Sequence, residues 1–464
     1  MNPSPPLRQL GVAHAASVCV GMVIGAGIFK TAPLVAANVG SAGELFALWA
    51  VGGLVSLIGA LCFAELAAAF PDPGGDYWFL RLAWGRRAGF AFAWSRFAVI
   101  HTGSMALLAF VLGDYANALL APPPGLAPWT SALFAAGAIG LLVLANLRGL
   151  RVGIGTQLGL ALLVLAGLGC VIAAGVWVAW TGGSAGPGGG IGAIGIGDAL
   201  AGAASASPAA GAEPADPPSL GTALVFVFLA YGGWSDAATL SAEMRDPRRG
   251  MLRALLLGMG AVTALYLATV WAYWRVLGLD GLARSSAPAA DTMRVAFGRP
   301  GEIAIVGIVA LASLTVMNAI LIAGARTTYA AARDSGDPAH LGEWHPSRAV
   351  PQASVLAIGA VALLLVALGS LTRAGFETMV DYLSPVYWGF LVLSGLALPR
   401  LRRRLPQAAR PFRVPGYPWL PLLFAAASGY VLWASLAYVK AGALAGVGVV
   451  LAGLLLRAWM LRRR

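Results

Sequence analysis

Twelve times along this chain, a run of roughly twenty residues passes with scarcely a charge. A stretch of that length and character is what a bilayer-spanning helix needs, because lipid offers no partner to an unpaired backbone group. The runs fall at about 11–39, 43–70, 87–113, 129–147, 154–180, 219–242, 252–275, 301–332, 351–371, 375–399, 418–439 and 442–460. Charged residues make up only 11% of the sequence, against about 25% in an ordinary soluble domain. The reading is therefore an all-α integral membrane protein with almost no room for a soluble domain.

Charge placement orients the spans, because cytoplasmic loops collect Lys and Arg. One set of alternate segments holds Arg8, the group Arg81, Arg86 and Arg87, and Arg148 with Arg151. It continues with Arg245, Arg248, Arg249, Arg253, Arg326, Arg333 and Arg348, then the cluster Arg400, Arg402, Arg403, Arg404, Arg410 and Arg413, and finally Arg457 and Arg462 to Arg464. The opposite set holds only Arg275, Arg284, Arg294, Arg299, Arg373 and Lys440. Both termini are expected in the cytoplasm of a cell whose plasma (inner) membrane the chain crosses. The same scatter explains the net charge of +12 without nucleic-acid binding, which needs a basic patch.

Composition divides the chain. Residues 1–10 form a cytoplasmic N-terminus, and 11–180 a first group of five spans. Residues 181–218 contain no Lys or Arg and are rich in Gly, Ala, Ser and Pro, which reads as a flexible external loop. Residues 219–399 form a second group of five, 400–417 a basic cytoplasmic loop, and 418–464 two further spans with a basic tail.

The first span of each group contradicts its own helical character. The stretch "GMVIGAGIFKTAP", residues 21–33, places Gly21, Gly25 and Gly27 at membrane depth. Its counterpart "LVFVFLAYGGWSDAATLSAEM" carries Gly232 and Gly233. Glycine in a helix interior costs about 1 kcal/mol relative to alanine. Two matched interruptions point to an inverted-repeat transporter with its site at the breaks. An unwound turn frees N–H groups for a carboxylate and C=O groups for an ammonium, so a site with both suits an α-amino acid zwitterion. Packing of small residues between helices is the competing explanation for Gly25 and Gly27 alone.

These stretches carry a resemblance. "GMVIGAGIF" is similar to the first-helix signature of the amino acid–polyamine–organocation superfamily. "FLAYGGWSDAATLSAEMRDPRRG" resembles the sixth helix and following loop of its L-type and related permeases, and "AELAAAFPDPGGDYWFLRLAWG", residues 64–85, the end of the second helix and the first cytoplasmic loop. The resemblance covers about residues 10 to 400. It implies a five-plus-five inverted repeat of the bacterial leucine transporter type, about twelve transmembrane helices with the first and sixth discontinuous, and secondary transport or exchange of amino acids by alternating access. Carried over, the substrate carboxylate falls on backbone of Gly25, Ala26 and Gly27. The amino group falls on carbonyls of Val23, Leu229, Ala230 and Gly232. Tyr231 and Trp234 flank the break, and Leu229 stands where L-type members place an aromatic lid. Many members have a lysine seven residues after a fifth-helix glutamine; here Gln157 is followed by Val164, so that residue cannot couple protons.

Ionisable residues inside spans are functional suspects because burying them costs a few kcal/mol. Lys30 pairs with a carboxylate or reaches outward. Glu65 calls for an ion pair or an interhelical hydrogen bond. Arg96 sits within the third span. His101 is either an interhelical hydrogen-bonding group or a coupling group. Asp236, one turn beyond the second break, is positioned for a cationic side chain. Neutral amino acids are favoured; the alternative is a cationic amino acid or polyamine carried by the same fold. An enzyme would need clustered reactive groups, and a channel has no use for two matched breaks. His14, His101, His340 and His345 show no metal-ligand spacing and no phosphate-cradling loop occurs, so no metal or cofactor is expected. Cys19, Cys62 and Cys170 lie in apolar runs as packing residues. L-type subunits are joined to a heavy chain through a cysteine between helices three and four; residues 114–128 have none, so no disulfide-linked heavy chain is expected.

Overall fold

The structure, a computed structural model, describes residues 11–25, 27–70, 75–123, 125–148, 154–182, 219–235, 244, 247–335, 351–372, 375–439 and 441–463. The loop expected at 181–218 and the two site residues Ala26 and Asp236 therefore lie almost wholly, and wholly, outside the described residues.

Among the described residues, fifteen α-helices run in the order α1 (Val12–Val23), α2 (Ile28–Ala36), α3 (Ala42–Ala69), α4 (Asp76–Trp84), α5 (Arg86–Ser95), α6 (Thr102–Leu120), α7 (Ala127–Leu147) and α8 (Ile154–Trp180). There follow α9 (Leu220–Ala230), α10 (Pro247–Arg284), α11 (Pro288–Ser335), α12 (Gln352–Ser370), α13 (Gly375–Arg404), α14 (Trp419–Val439) and α15 (Ala441–Arg463). Among the described residues, nine helices are long and apolar enough to cross a membrane, and Val12–Gly21, Leu220–Ala230 and Leu444–Leu455 are shorter apolar helices. The nine coincide with spans two to five and seven to eleven of the sequence reading. The three shorter ones fall on the first, sixth and twelfth. Lipid-facing side chains such as Leu133, Leu141 and Leu162 remain exposed, as they must where the solvent is hydrocarbon.

Both discontinuities are present. The helix α1 stops because Ile24 turns to an extended conformation (φ −74°, ψ 101°), and α2 restarts after Gly27. The helix α9 stops at Ala230, and Tyr231, Gly232 and Gly233 form a turn in which Gly233 takes a left-handed φ of 93°. That conformation is open to glycine and strained for other residues. The first element packs along α10, and α2 also packs against α9, so the two breaks come together in the middle of the bundle.

Two boundaries differ from the sequence reading. The third span does not end at Gly113 but runs on to Leu120, which places Asp114 inside the bundle and beside Lys30. The connection between the seventh and eighth spans is not a plain loop. Left-handed glycines Gly278 (φ 73°) and Gly298 (φ 67°) turn the chain and leave short helices at 279–284 and 288–297. The sixth span is interrupted where its glycines placed the break: it is helical from Leu220 to Ala230, turns at 231–233, and its remainder from 236 to 242 lies outside the described residues. The third span also contains a π-helical segment, Arg96–His101, between α5 and α6.

Candidate functional site

Breaking a helix strands the carbonyls that the next turn would have bonded. Val23 O has lost its partner four residues on, and so has Ala230 O. Tyr266, fully buried on α10, answers both. Its hydroxyl lies 3.1 Å from Val23 O and 3.2 Å from Ala230 O, with the Gly25 amide beside the same oxygen. One hydroxyl bears one proton, so two acceptors this close to it converge on a single point in space. The carbonyls of the two broken helices thus face each other.

Around that point the chain is closely packed. Gly27 lies against the second break: a Cβ there would come 3.3 Å from Ala230 Cα. A Cβ on Gly25 meets nothing within 4 Å, so Gly25 borders open space. Trp49, Tyr231 and Tyr266 form a buried aromatic cluster with ring centroids 5.1–5.9 Å apart, and the Tyr231 hydroxyl donates to Trp49 O at 2.9 Å. The Gly232 N–H donates to Leu229 O at 3.2 Å, so that carbonyl is used within the turn. Leu229 itself is half-buried. Trp234 packs edge-on to Phe63 and Phe424 at 5.1 and 5.5 Å and borders a cavity of ≈ 10 Å³, room for about one water.

The remaining suspects are placed as follows. Lys30 is buried on α2, 2.7 Å from Asp114, and donates to Ser286 O at 3.0 Å. His101 is not bonded across helices. Its Nε2 accepts from Arg96 Nε at 3.3 Å, because the π-helical segment brings residues five apart onto one face. Apart from these suspects, Asn318 on α11 accepts from Asn146 at 2.7 Å, and the buried Ser313, five positions earlier, has no partner for its hydroxyl. Glu65 is fully buried. It accepts from Arg402 at 2.8 and 2.6 Å and from the Val414 N–H at 2.6 Å, with Arg410 3.6 Å away. This cluster ties α3 to the end of α13 and the segment after it. Val164 is buried on α8.

Sequence reasoning missed Tyr266 and Asp114. Tyr266 bonds Val23 across 243 positions, and a tyrosine in an apolar run carries no local mark of such a role. Asp114 stood at the edge of an apolar run and read as loop.

Residues 10–454 match the amino acid permease family. The chain is 26% identical over 451 residues to the Asc-type amino acid transporter 1 of Mus musculus, covering 96% of this chain and 79% of the relative. It is 28% identical over 423 residues to the large neutral amino acids transporter small subunit 2 of Homo sapiens, covering 88% and 72%. An uncharacterized transporter of Mycobacterium tuberculosis is 32% identical over 405 residues, covering 86% and 83%. These relatives are transporters rather than enzymes. A match over nearly the whole length, on a bundle of apolar helices broken at its first and sixth members, leaves one assignment: the chain belongs to the amino acid permease family.

Proposed function

We propose that the protein carries neutral amino acids across the membrane by alternating access, gripping the zwitterion with the backbone of the two breaks. The observation that carries this reading is the convergence of Val23 O and Ala230 O on one hydroxyl. A substrate ammonium has three donors and replaces that hydroxyl with a stronger, charge-assisted pair of bonds. The carboxylate then falls at the open side of Gly25, against the first N–H groups of α2, where the positive end of the helix lies. Gly25, Ala26 and Gly27 hold the carboxylate; Val23, Ala230 and Gly232 hold the amine. Leu229 and Tyr231 shape the side-chain pocket, and Trp234 backs it.

Neutral substrates are favoured because neither break contains an acidic residue to receive a cationic side chain, and Lys30, whose charge would draw an anionic one, is already paired with Asp114. The names of the mouse and human relatives, the human one specifying large neutral amino acids, agree with this. The runner-up is a cationic amino acid or polyamine, with Asp236 as its partner. The mutation Asp236→Asn separates the two: loss of basic substrates alone favours the runner-up. We further propose that both termini are cytoplasmic, on the charge asymmetry, and that the protein works without a disulfide-linked heavy chain. With Val164 in place of a lysine, exchange or facilitated diffusion is the favoured mode.

The test is uptake by proteoliposomes, with and without proton and sodium gradients. Neutral amino acids should compete for the site, whereas analogues lacking either the amine or the carboxylate should not. Equal competition by an analogue without its amine would defeat the site.

A further inference from the structure

Two consecutive residues of α2 meet two consecutive residues of α6, and both pairs continue into the corner between α10 and α11. Lys30 lies 2.7 Å from Asp114 and donates to Ser286 O at 3.0 Å. Next to it, the Tyr115 hydroxyl donates to Phe29 O at 2.6 Å, and the Ala289 N–H donates to that hydroxyl at 3.4 Å. The sequence explains the second crossing. Pro33 lies four residues after Phe29 inside α2 and has no N–H, so Phe29 O loses its helical partner and Tyr115 supplies one. Two parallel crossings therefore bolt α2, a nine-residue helix hinged at the 24–27 break, to two other segments.

We propose that this double crossing is the latch closing the substrate path at the end of the bundle where α2 terminates, with Lys30 as its moving bolt. The proposal rests on α2 being the half of the broken helix that covers the site. Stability alone does not account for the ion pair, since apolar side chains of similar volume hold a buried joint as well or better. The two kinds of joint differ when they open. An apolar joint exposes hydrocarbon to water and resists opening in proportion to that area. An ion pair regains the hydration of both charges, so the open state lies close in free energy to the closed one, as a gate requires.

The two halves of the pair are built unequally. Asp114 also accepts from Ser131 on α7 at 2.7 Å, so it stays anchored when the cation leaves. The Lys30 side chain is only 9% exposed against 24% for Asp114, and its ammonium lies 5.8 Å from the Phe376 ring at the start of α13. The Glu65 cluster contrasts with this arrangement. Its carboxylate is fully buried and meets two guanidiniums and a backbone amide, which suits a joint that stays shut.

The test is hydrogen–deuterium exchange of the substrate-free protein in lipid nanodiscs, comparing α2 and residues 285–297 with the segments around Glu65. Lys30→Met and Tyr115→Phe should each speed exchange in α2 and 285–297 by about tenfold, the lower end of what losing a bond to a charged group or orphaning a buried carbonyl supports. The Glu65 segments should be unchanged. The exchanged pair Lys30→Asp with Asp114→Lys should restore most of the protection that Lys30→Met loses. Unchanged exchange in α2 for both single variants overturns the latch. So does an equal rise at both ends, which would mark the pair as a general stabiliser. If Lys30→Met fails to fold, Tyr115→Phe gives the same reading. The assay uses no substrate, so it stands or falls separately from the amino acid site, which the analogue competition decides.

Discussion

Replacing Gly25 by alanine separates binding from folding at the proposed site. The backbone of Gly25 is not in the left-handed region, and a Cβ built there meets nothing within 4 Å. Alanine therefore fits without strain. Its effect on folding should lie between zero and a gain of about 1 kcal/mol, the usual result of a compatible Gly→Ala change. The methyl group, however, occupies the open space where a carboxylate would meet the first N–H groups of α2. Losing one charge-assisted hydrogen bond costs about 1.5–3 kcal/mol, which is roughly 10- to 150-fold in affinity. Purified Gly25→Ala should keep its thermal midpoint while its KM for a neutral amino acid rises by at least tenfold. Gly27→Ala is the control. Its Cβ would press to 3.3 Å from Ala230 Cα, so the second break must shift, and stability and transport should fall together. A wild-type KM for Gly25→Ala would refute the carboxylate assignment outright.

Three other outcomes follow from the contacts. Tyr266→Phe leaves Val23 O and Ala230 O without their donor until substrate arrives; the empty protein should lose about 1–3 kcal/mol of stability, and KM should fall, both measurable on one preparation. Glu65→Ala removes both bonds that the carboxylate accepts from the part-buried Arg402 and the one from the Val414 N–H, and should cost about 3 kcal/mol in denaturation, so a loss under about 1 kcal/mol would show that the cluster is not a structural tie. His101→Gln keeps an acceptor for Arg96 and should transport normally, whereas His101→Leu removes it and should lower thermal stability; equal behaviour of the two would deny the hydrogen bond any role.

The features legible in the sequence were those that residue type enforces locally. Glycine at 25, 27, 232 and 233 marked both breaks, because close packing of small residues explains one such cluster but not a matched pair in the first span of each group. Apolar length gave the spans, since every lipid-facing helix must satisfy its own backbone. What stayed hidden was the partnering of groups far apart in the chain. Arg402 reads as one of a basic cytoplasmic cluster, yet its guanidinium turns inward to Glu65, 337 positions away. Asp114 looked like the end of a span, and its partners, Lys30 on α2 and Ser131 on α7, lie on other helices where local sequence gives no sign of them. His101 could be judged polar and buried, but not that its partner lay five residues back on a π-helical segment, a register that hydrophobic periodicity does not encode.

Tyr266 bears on the mode of transport as well as on binding. A carrier that performs net uptake must close and reorient while empty. An empty site of this kind presents two carbonyls to a dry interior, each costing about 1–3 kcal/mol if unpaired. Exchange never meets that cost, because one substrate or another always fills the site. The hydroxyl, 3.1 and 3.2 Å from the two carbonyls, shares its one proton between them and so lowers that cost for the empty carrier. On the proposed site, a residue whose contacts are made when substrate is absent would shift the balance from strict exchange toward facilitated diffusion. In Tyr266→Phe, exchange of labelled for unlabelled amino acid should persist while net flux into empty vesicles slows. If both slow equally, the hydroxyl serves the bundle as a whole rather than the empty state.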